Sequence, residues 1–228
     1  MEKIELFKKY EINIDENILN DFKIYFNQLI EWNNKFNLTA ITEENDVFIK
    51  HFLDSVYPEK NIEKNAHILD IGAGAGFPSL PLKIVRPDLD VTMIDSLNKR
   101  ITFLDFMIKT LKLQAIRAEH SRAEDYAQKH REKFDAVVAR AVSNLSTLSE
   151  YALPLVRVGG KFFAYKGENI EDELFAAKNA IEVLGGKILD VKKYSIEGNG
   201  RSLVIIEKVK QTPSKYPRGK NLPKTNPL

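Results

Sequence analysis

Cysteine is absent from all 228 residues. That excludes disulfide-stapled scaffolds, thiolate zinc sites, iron–sulfur clusters and every enzyme with a Cys nucleophile. Histidine is scarce, with four residues at 51, 67, 120 and 130 and none in H-E-x-x-H spacing, so no metal is expected. No apolar run approaches the ~18 residues of a membrane span, and hydrophobic residues at 43% beside 29% charged describe a soluble globular protein with no membrane partner. The opening MEKIELFKKYEINIDE mixes acids with bases and has no apolar h-region, so the cytoplasm is the expected location.

Acids are missing from one place in particular. Residues 208–228 hold six Lys or Arg and no Asp or Glu, whereas residues 1–207 hold 28 bases against 32 acids. The excess behind the formal net charge of +2 therefore lies wholly in the tail, together with four of the nine prolines. Such a composition predicts an extended strap or a disordered end rather than a helix.

The length is about 1.5 times the ~150 residues expected of one domain, which suits one compact domain with an appendage. Three parts are read: an N-terminal helical extension over 1–60, an α/β domain over 61–210 and the basic, Pro-rich tail over 211–228. In 15–32, Ile18, Leu19, Phe22, Phe26, Leu29 and Ile30 recur at helical spacing behind Asp15 as N-cap, and a shorter helix is expected over 46–54. From residue 66 short apolar runs alternate with helical segments. Strands are expected near 66–71, 90–95, 114–118, 134–139, 160–165, 187–194 and 202–208, with helices near 79–85, 97–110, 122–129, 145–154 and 170–183. This is the pattern of an α/β doubly wound seven-stranded sheet, mostly parallel, with an antiparallel terminal strand because only residues 195–201 join the last two.

The strongest local signal is HILDIGAGAGFPS (67–79), an apolar strand carrying Asp70, then Gly72, Gly74 and Gly76, then a helix. Glycines at the carboxyl end of a first strand let the backbone turn tightly and approach a ligand closely. A dinucleotide fingerprint fails, because the sixth position counted from Gly72 is Phe77, and no Gly-Lys-Ser/Thr follows to make a P-loop. The run instead resembles motif I of class I S-adenosylmethionine-dependent methyltransferases, which are Rossmann-like.

Three further features agree with that resemblance. Asp95 closes the second strand 19 residues after Gly76, where a nucleoside cofactor needs an acceptor for ribose hydroxyls, although it could equally cap the helix bearing Lys99 and Arg100. Ser121-Arg122-Ala123-Glu124 follows the third strand, where this superfamily usually contacts adenine. Arg140 in VVARAV (137–142) stands just past the fourth strand, over the expected reaction centre.

Missing residues narrow the methylated atom. Exocyclic amine methylation typically uses an Asn/Asp-Pro-Pro-Tyr/Phe segment where this chain reads ARAVSN, and carbon-5 pyrimidine methylation needs a Cys. Guanine N7 presents an in-plane lone pair and loses no proton on methylation, so it asks for positioning and not for an acid–base pair. No catalytic acid or base is assigned, Arg140 being a positioning candidate. Oxygen and small-molecule acceptors survive this exclusion.

The chain also resembles, over nearly its whole length, the glucose-inhibited division protein B family of bacterial small-subunit ribosomal RNA guanine-N7 methyltransferases. The residues that carry the resemblance are FNLTA (36–40), His51-x-x-Asp54-Ser55, the GAGAGFP loop, Asp95-Ser96 with Lys99 and Phe103-Leu104, Arg122-Ala123-Glu124, Arg140-Ala141-Val142, Tyr165-Lys166-Gly167, Arg201 and Tyr216-Pro217-Arg218. The resemblance implies S-adenosylmethionine contacts at Gly72, Phe77, Asp95, Ala123, Glu124 and Arg140. It implies RNA contacts at Lys166, Arg201 and Arg218, and a monomer acting on small-subunit ribosomal RNA or the subunit particle. Two departures stand out: Ser79 replaces a glycine and is expected to N-cap the following helix, and Asn221 replaces a tail glycine, a position where Asn tolerates the left-handed conformation. A methyltransferase for a small molecule or protein, and a non-catalytic RNA-binding assembly factor, stay open as alternatives.

Overall fold

The computed structural model describes residues 2–140 and 143–228. Seven strands run β1 (His67–Ile71), β2 (Asp90–Asp95), β3 (Ile116–His120), β4 (Phe134–Arg140), β5 (Val156–Gly167), β6 (Gly186–Ile196) and β7 (Asn199–Lys208). They form one sheet in the order β3-β2-β1-β4-β5-β7-β6, in which β7 is antiparallel to both its neighbours and every other pairing is parallel. The reversed strand is thus inserted between β5 and β6 and does not lie at the edge.

The apolar strand runs reflect burial on both faces. Side chains alternate across the sheet, so Val138, Phe163, Tyr165 and Ile205 join one core while Val137, Ala139, Phe162, Ala164 and Ile206 join the other. The first core is covered by α5 (Ser79–Val85) and α6 (Asn98–Thr110), the second by α7 (Ala123–Lys129), α8 (Leu145–Ala152) and α9 (Glu171–Val183). Since the helices following β1 and β4 leave to opposite faces, a crevice opens at the carboxyl ends of these adjacent strands.

The N-terminal part folds onto the first core. Asp15 caps α2 (Glu16–Phe36) by accepting from the Ile18 N–H at 2.9 Å, and left-handed Asn37 ends it. The buried stripe is Leu19, Phe22, Tyr25 and Leu29; Ile18, Phe26 and Ile30 are only half-buried. The expected helix over 46–54 is three pieces: α3 (Glu44–Val47), a π-helical segment Phe48–Leu53 and α4 (Asp54–Val56). No element is expected before residue 15, yet Glu2–Lys9 form α1, whose single fully buried anchor, Phe7, stacks on Phe22 at 5.4 Å between ring centroids.

The tail departs most from expectation. It is not a free strap: Tyr216 is buried in the second core, and Leu222–Thr225 form α10 against α8. Asn221 is left-handed, as its replacement of glycine predicts. Ser79 does not cap; Pro78 holds that position and Ser79 is the buried first residue of α5. No described helix is long and apolar enough to cross a membrane.

Candidate functional site

Beyond β1 the chain takes positive φ at Gly72 (69°), Gly74 (61°) and Gly76 (96°). At Gly76 a Cβ would lie 2.4 Å from Leu80 Cδ1 and 2.8 Å from the Tyr25 hydroxyl, so both backbone sterics and space require glycine there. The loop is fastened from two sides. Gly72 and Ala73 donate their N–H groups to the Ile94 carbonyl at 2.9 and 3.1 Å, and the Tyr25 hydroxyl of α2 donates to the Ala75 carbonyl.

Asp95, at the end of β2, holds this loop as well as facing the crevice. Its Oδ2 accepts from the Gly74 N–H and the Arg100 guanidinium, both at 3.0 Å, and its Oδ1 accepts from the Leu97 N–H at 2.9 Å. The two readings of Asp95, acceptor at the crevice and turn-forming carboxylate ahead of a helix, are therefore combined in one side chain.

A cavity of about 460 Å³ opens here, in the size range of small-molecule sites. Gly72, Asp95, Ala123 and Glu124 line it, with apolar Ile71 and Ile94 and with Ser121, Ser143 and Tyr151. Gly74, Gly76, Phe77 and Arg140 do not. The Phe77 ring is taken up by the N-terminal part, stacked on His51 at 4.3 Å and Tyr25 at 5.5 Å.

Arg140 lies in a second, adjoining cluster. Its guanidinium sits 4.9 Å above the Phe77 ring and donates to the Lys50 carbonyl and Asp54 Oδ2, each at 3.1 Å, and to His51 Nδ1 at 3.0 Å. Asp54 Oδ1 accepts from the Tyr194 hydroxyl at 3.2 Å and faces Arg201 Nε at 3.4 Å. One buried carboxylate thus serves two guanidiniums and leaves the cluster cationic. Burial, aided by Arg140, pushes His51 down to about 3. The ring is neutral at physiological pH, with Nδ1 accepting from Arg140 and Nε2–H donating to Thr39 Oγ1 at 2.8 Å.

His51, Asp54 and Tyr194 were not candidates from charge or spacing, although His51 and Asp54 belong to the run that carries the family resemblance. Their i, i+3 spacing on a helical segment was the available signal.

The proposed RNA cations fare differently. Lys166 donates to the Ser143 carbonyl at 2.6 Å and to Glu173, which makes it a support of the cavity rim and not a free phosphate ligand. Arg218 is clamped by buried Glu150, its Nε to Oε1 at 2.9 Å and Nη2 to Oε2 at 2.6 Å. A phosphate reaching Arg218 would have to displace that two-point pair. Arg201 keeps a partly exposed guanidinium beside Arg140. Ala141 and Val142, which follow Arg140 in the motif, lie outside the described residues.

Asp70 is fully buried on β1 facing Ser79 at the start of α5; burial outweighs the opposing pull of Ser79 and of Arg140 and pushes its carboxyl up to about 7. Among the described residues no group of three His, Asp or Glu could hold a metal ion.

Comparison with known proteins places this arrangement in context. A family model described as rRNA small subunit methyltransferase G matches residues 18–204. The Ribosomal RNA small subunit methyltransferase G of Desulforamulus reducens is 51% identical over 227 residues, 97% of this chain and 95% of that protein. The protein of the same name from Clostridium tetani is 50% identical, covering 95% of this chain and 93% of the relative. In fold alone the chain is similar to precorrin-6y C5,15-methyltransferase from Geobacter metallireducens, with a TM-score of 0.52 at 14% identity over 66% of this chain and 83% of that one.

Proposed function

This chain belongs to the rRNA small subunit methyltransferase G family, and from that premise we propose that it transfers the methyl group of S-adenosylmethionine to N7 of a guanine in 16S ribosomal RNA. The observation that carries this reading is a pair of sites joined by the glycine loop: Gly72 lines a nucleoside-sized cavity, and Phe77 packs beneath Arg140 in a cationic cluster with Arg201 and Asp54. The residues present fit the cofactor. Asp95 supplies the carboxylate for ribose hydroxyls, Ile71, Ile94 and Ala123 supply apolar surface for a base, and the Gly72 backbone permits close approach. Bound there, S-adenosylmethionine supplies a methyl group activated by its sulfonium.

The chain's own contribution is placement. N7 attacks with an in-plane lone pair and gives up no proton, so orientation can supply most of what the reaction needs, up to ~7–11 kcal/mol of barrier. His51 is unsuited to act as a base: it is neutral because its basicity is already suppressed, and its Nδ1 is occupied by Arg140. Its work is to orient Arg140, while Asp54 holds Arg140 and Arg201 at the mouth for the phosphate or the Hoogsteen edge of the target nucleotide. The reading includes a monomer in the cytoplasm, with residues 1–60 as a helical extension on the 61–210 methyltransferase domain and 211–228 as an appended tail.

The test is to incubate the protein with labelled S-adenosylmethionine and unmodified small-subunit particles or naked 16S RNA, digest the RNA and identify the nucleoside. Label in 7-methylguanosine is expected. Label in another nucleoside, or in no RNA at all while a small molecule or protein is methylated, overturns the assignment.

A further inference from the structure

Residues 219–228 do not simply trail from the fold. Asn221 and Lys224 line the same cavity as Asp95, Ser121, Ala123 and Glu124. They reach it through a series of tethers that use few apolar contacts. Arg131 donates to the carbonyls of Thr212 at 2.8 Å and of Tyr216, and Tyr216 is buried. Arg218 donates its backbone N–H as well as its guanidinium to Glu150, the former at 2.8 Å. Beyond it, Thr147 Oγ1 donates to the Pro223 carbonyl at 2.7 Å, Ser146 Oγ donates to the Leu228 oxygen at 3.0 Å, and Arg218 Nη2 donates to the Asn226 carbonyl at 3.0 Å.

The tethers from Arg218 onward converge on α8, whose own Tyr151 lines the cavity. The same helix thus holds the tail through Ser146, Thr147 and Glu150 and contributes Tyr151 to the cavity lining. Left-handed Asn221, at φ 60° and ψ 14°, turns the chain so that α10 comes to the cavity wall.

We propose that residues 219–228 form the outer wall of the nucleoside half of the cofactor cavity, so that docking of the tail and binding of the cofactor's adenosine are one linked equilibrium. This rests on the cofactor reading given above. The neighbours of Asn221 and Lys224 in the cavity are the end of β2 and the loop after β3, the elements that reading assigns to ribose and adenine. An Asn amide offers both a donor and an acceptor, which is the chemistry of an adenine edge. Linkage makes the effect reciprocal: adenosine stabilises the docked tail by the same factor that the tail strengthens adenosine binding.

Limited trypsin digestion of the full-length chain reads this directly, since Lys220 and Lys224 are cleavage points in the wall itself. With saturating S-adenosylhomocysteine as a non-reactive probe, release of fragments ending at Lys220 and Lys224 should slow at least five-fold. Saturating adenosine should protect as well, and methionine should not. Cleavage after Lys8 and Lys9 in α1 serves as the control and should be unchanged.

A chain ending at Arg218, which keeps the Tyr216 and Glu150 anchors, should bind S-adenosylhomocysteine at least ten-fold more weakly by calorimetry. If that chain does not fold, Asn221→Ala with Lys224→Ala in the full-length protein should weaken binding at least three-fold. Binding of the probe with an unprotected tail, protection by methionine in place of adenosine, or unchanged affinity in a folded truncation or double variant would each overturn the wall while leaving the cofactor reading intact. Absence of any binding by the full-length chain would remove both.

Discussion

The two ends of the chain both fold back on the sheet, but opposite kinds of interaction hold them. The N-terminal arm inserts Phe7, Phe22, Tyr25, Phe48 and Phe52 fully into the first core, where their rings pack on one another and on Phe77 of the glycine loop. The C-terminal arm buries Thr212, Tyr216 and Pro223 and is otherwise hung on carbonyls and on the Arg218–Glu150 pair. Apolar burial of several rings is worth many kcal/mol and is lost only by unfolding. A few hydrogen bonds of about 1 kcal/mol each can be exchanged for water. The first arm is thus part of the domain, and the second is an attachment that can respond to a ligand.

The sharpest way to break this comparison is to empty one site in each arm. Phe52→Ala should cost ~3–5 kcal/mol in urea unfolding, the range for a buried aromatic truncated to Ala. Tyr216→Ala should cost less than half as much, and equal losses would mean that both arms belong to the core alike.

Next in size is the charge buried beneath the glycine loop. The folded-state pKa of Asp70, near 7, is above the carboxylate reference of 3.8. The unfolded chain therefore ionises first as pH rises, and stability falls through the window from about pH 4 to 7, by at most ~1.4 kcal/mol for each pH unit crossed. Asp70→Asn removes the penalty. Without cofactor it should raise the melting temperature by roughly 5–10 °C at pH 8 and by much less at pH 4. An equal change at both pH values would mean that Asp70 is not buried as its proton-binding form.

A smaller effect is expected where the N-terminal arm meets Arg140. Asp54→Asn keeps the shape but removes the charge that two guanidiniums share, and hydrogen bonds to charged groups are worth about 1.5–3 kcal/mol. Methyl transfer to RNA should fall by roughly ten- to a hundredfold in kcat/KM, with S-adenosylhomocysteine affinity by calorimetry unchanged. A matching loss of cofactor affinity would merge the two clusters into one site. The least effect belongs to Arg218→Lys, which keeps the charge and loses the two-point fork on Glu150, at ~1 kcal/mol or less. A larger loss in thermal unfolding would make the C-terminal arm more firmly attached than its contacts indicate.

Local patterns carried most of the fold. Most of the strand positions could be read closely because a strand buried on both faces is an apolar run, and the glycine loop was legible because positive φ selects its residue type. Helix α1 was not read: Ile4, Leu6 and Phe7 do turn toward the first core, but eight residues are shorter than the stretch over which helical periodicity can be told from chance. The tail misled for the opposite reason. Its composition has a clear disorder signature, and what overrides that signature is Glu150, 68 residues from Arg218.

The doubly wound sheet, the glycine loop and Asp95 at the end of the second strand were legible in the sequence alone, because each follows from a run of neighbours whose spacing maps onto one strand or turn, whereas Ala123 and Glu124 were candidates only through the family resemblance and line the same cavity once the chain has folded. Tertiary structure alone decided which cations are spoken for. Lys166 finds Glu173, Arg218 finds Glu150, and Arg140 finds Asp54 from 86 residues away, while Arg201 shares that same carboxylate and stays partly exposed. Charge is a property of the residue, but its availability depends on the distance to the nearest opposite charge, and that distance is set only when the chain has folded.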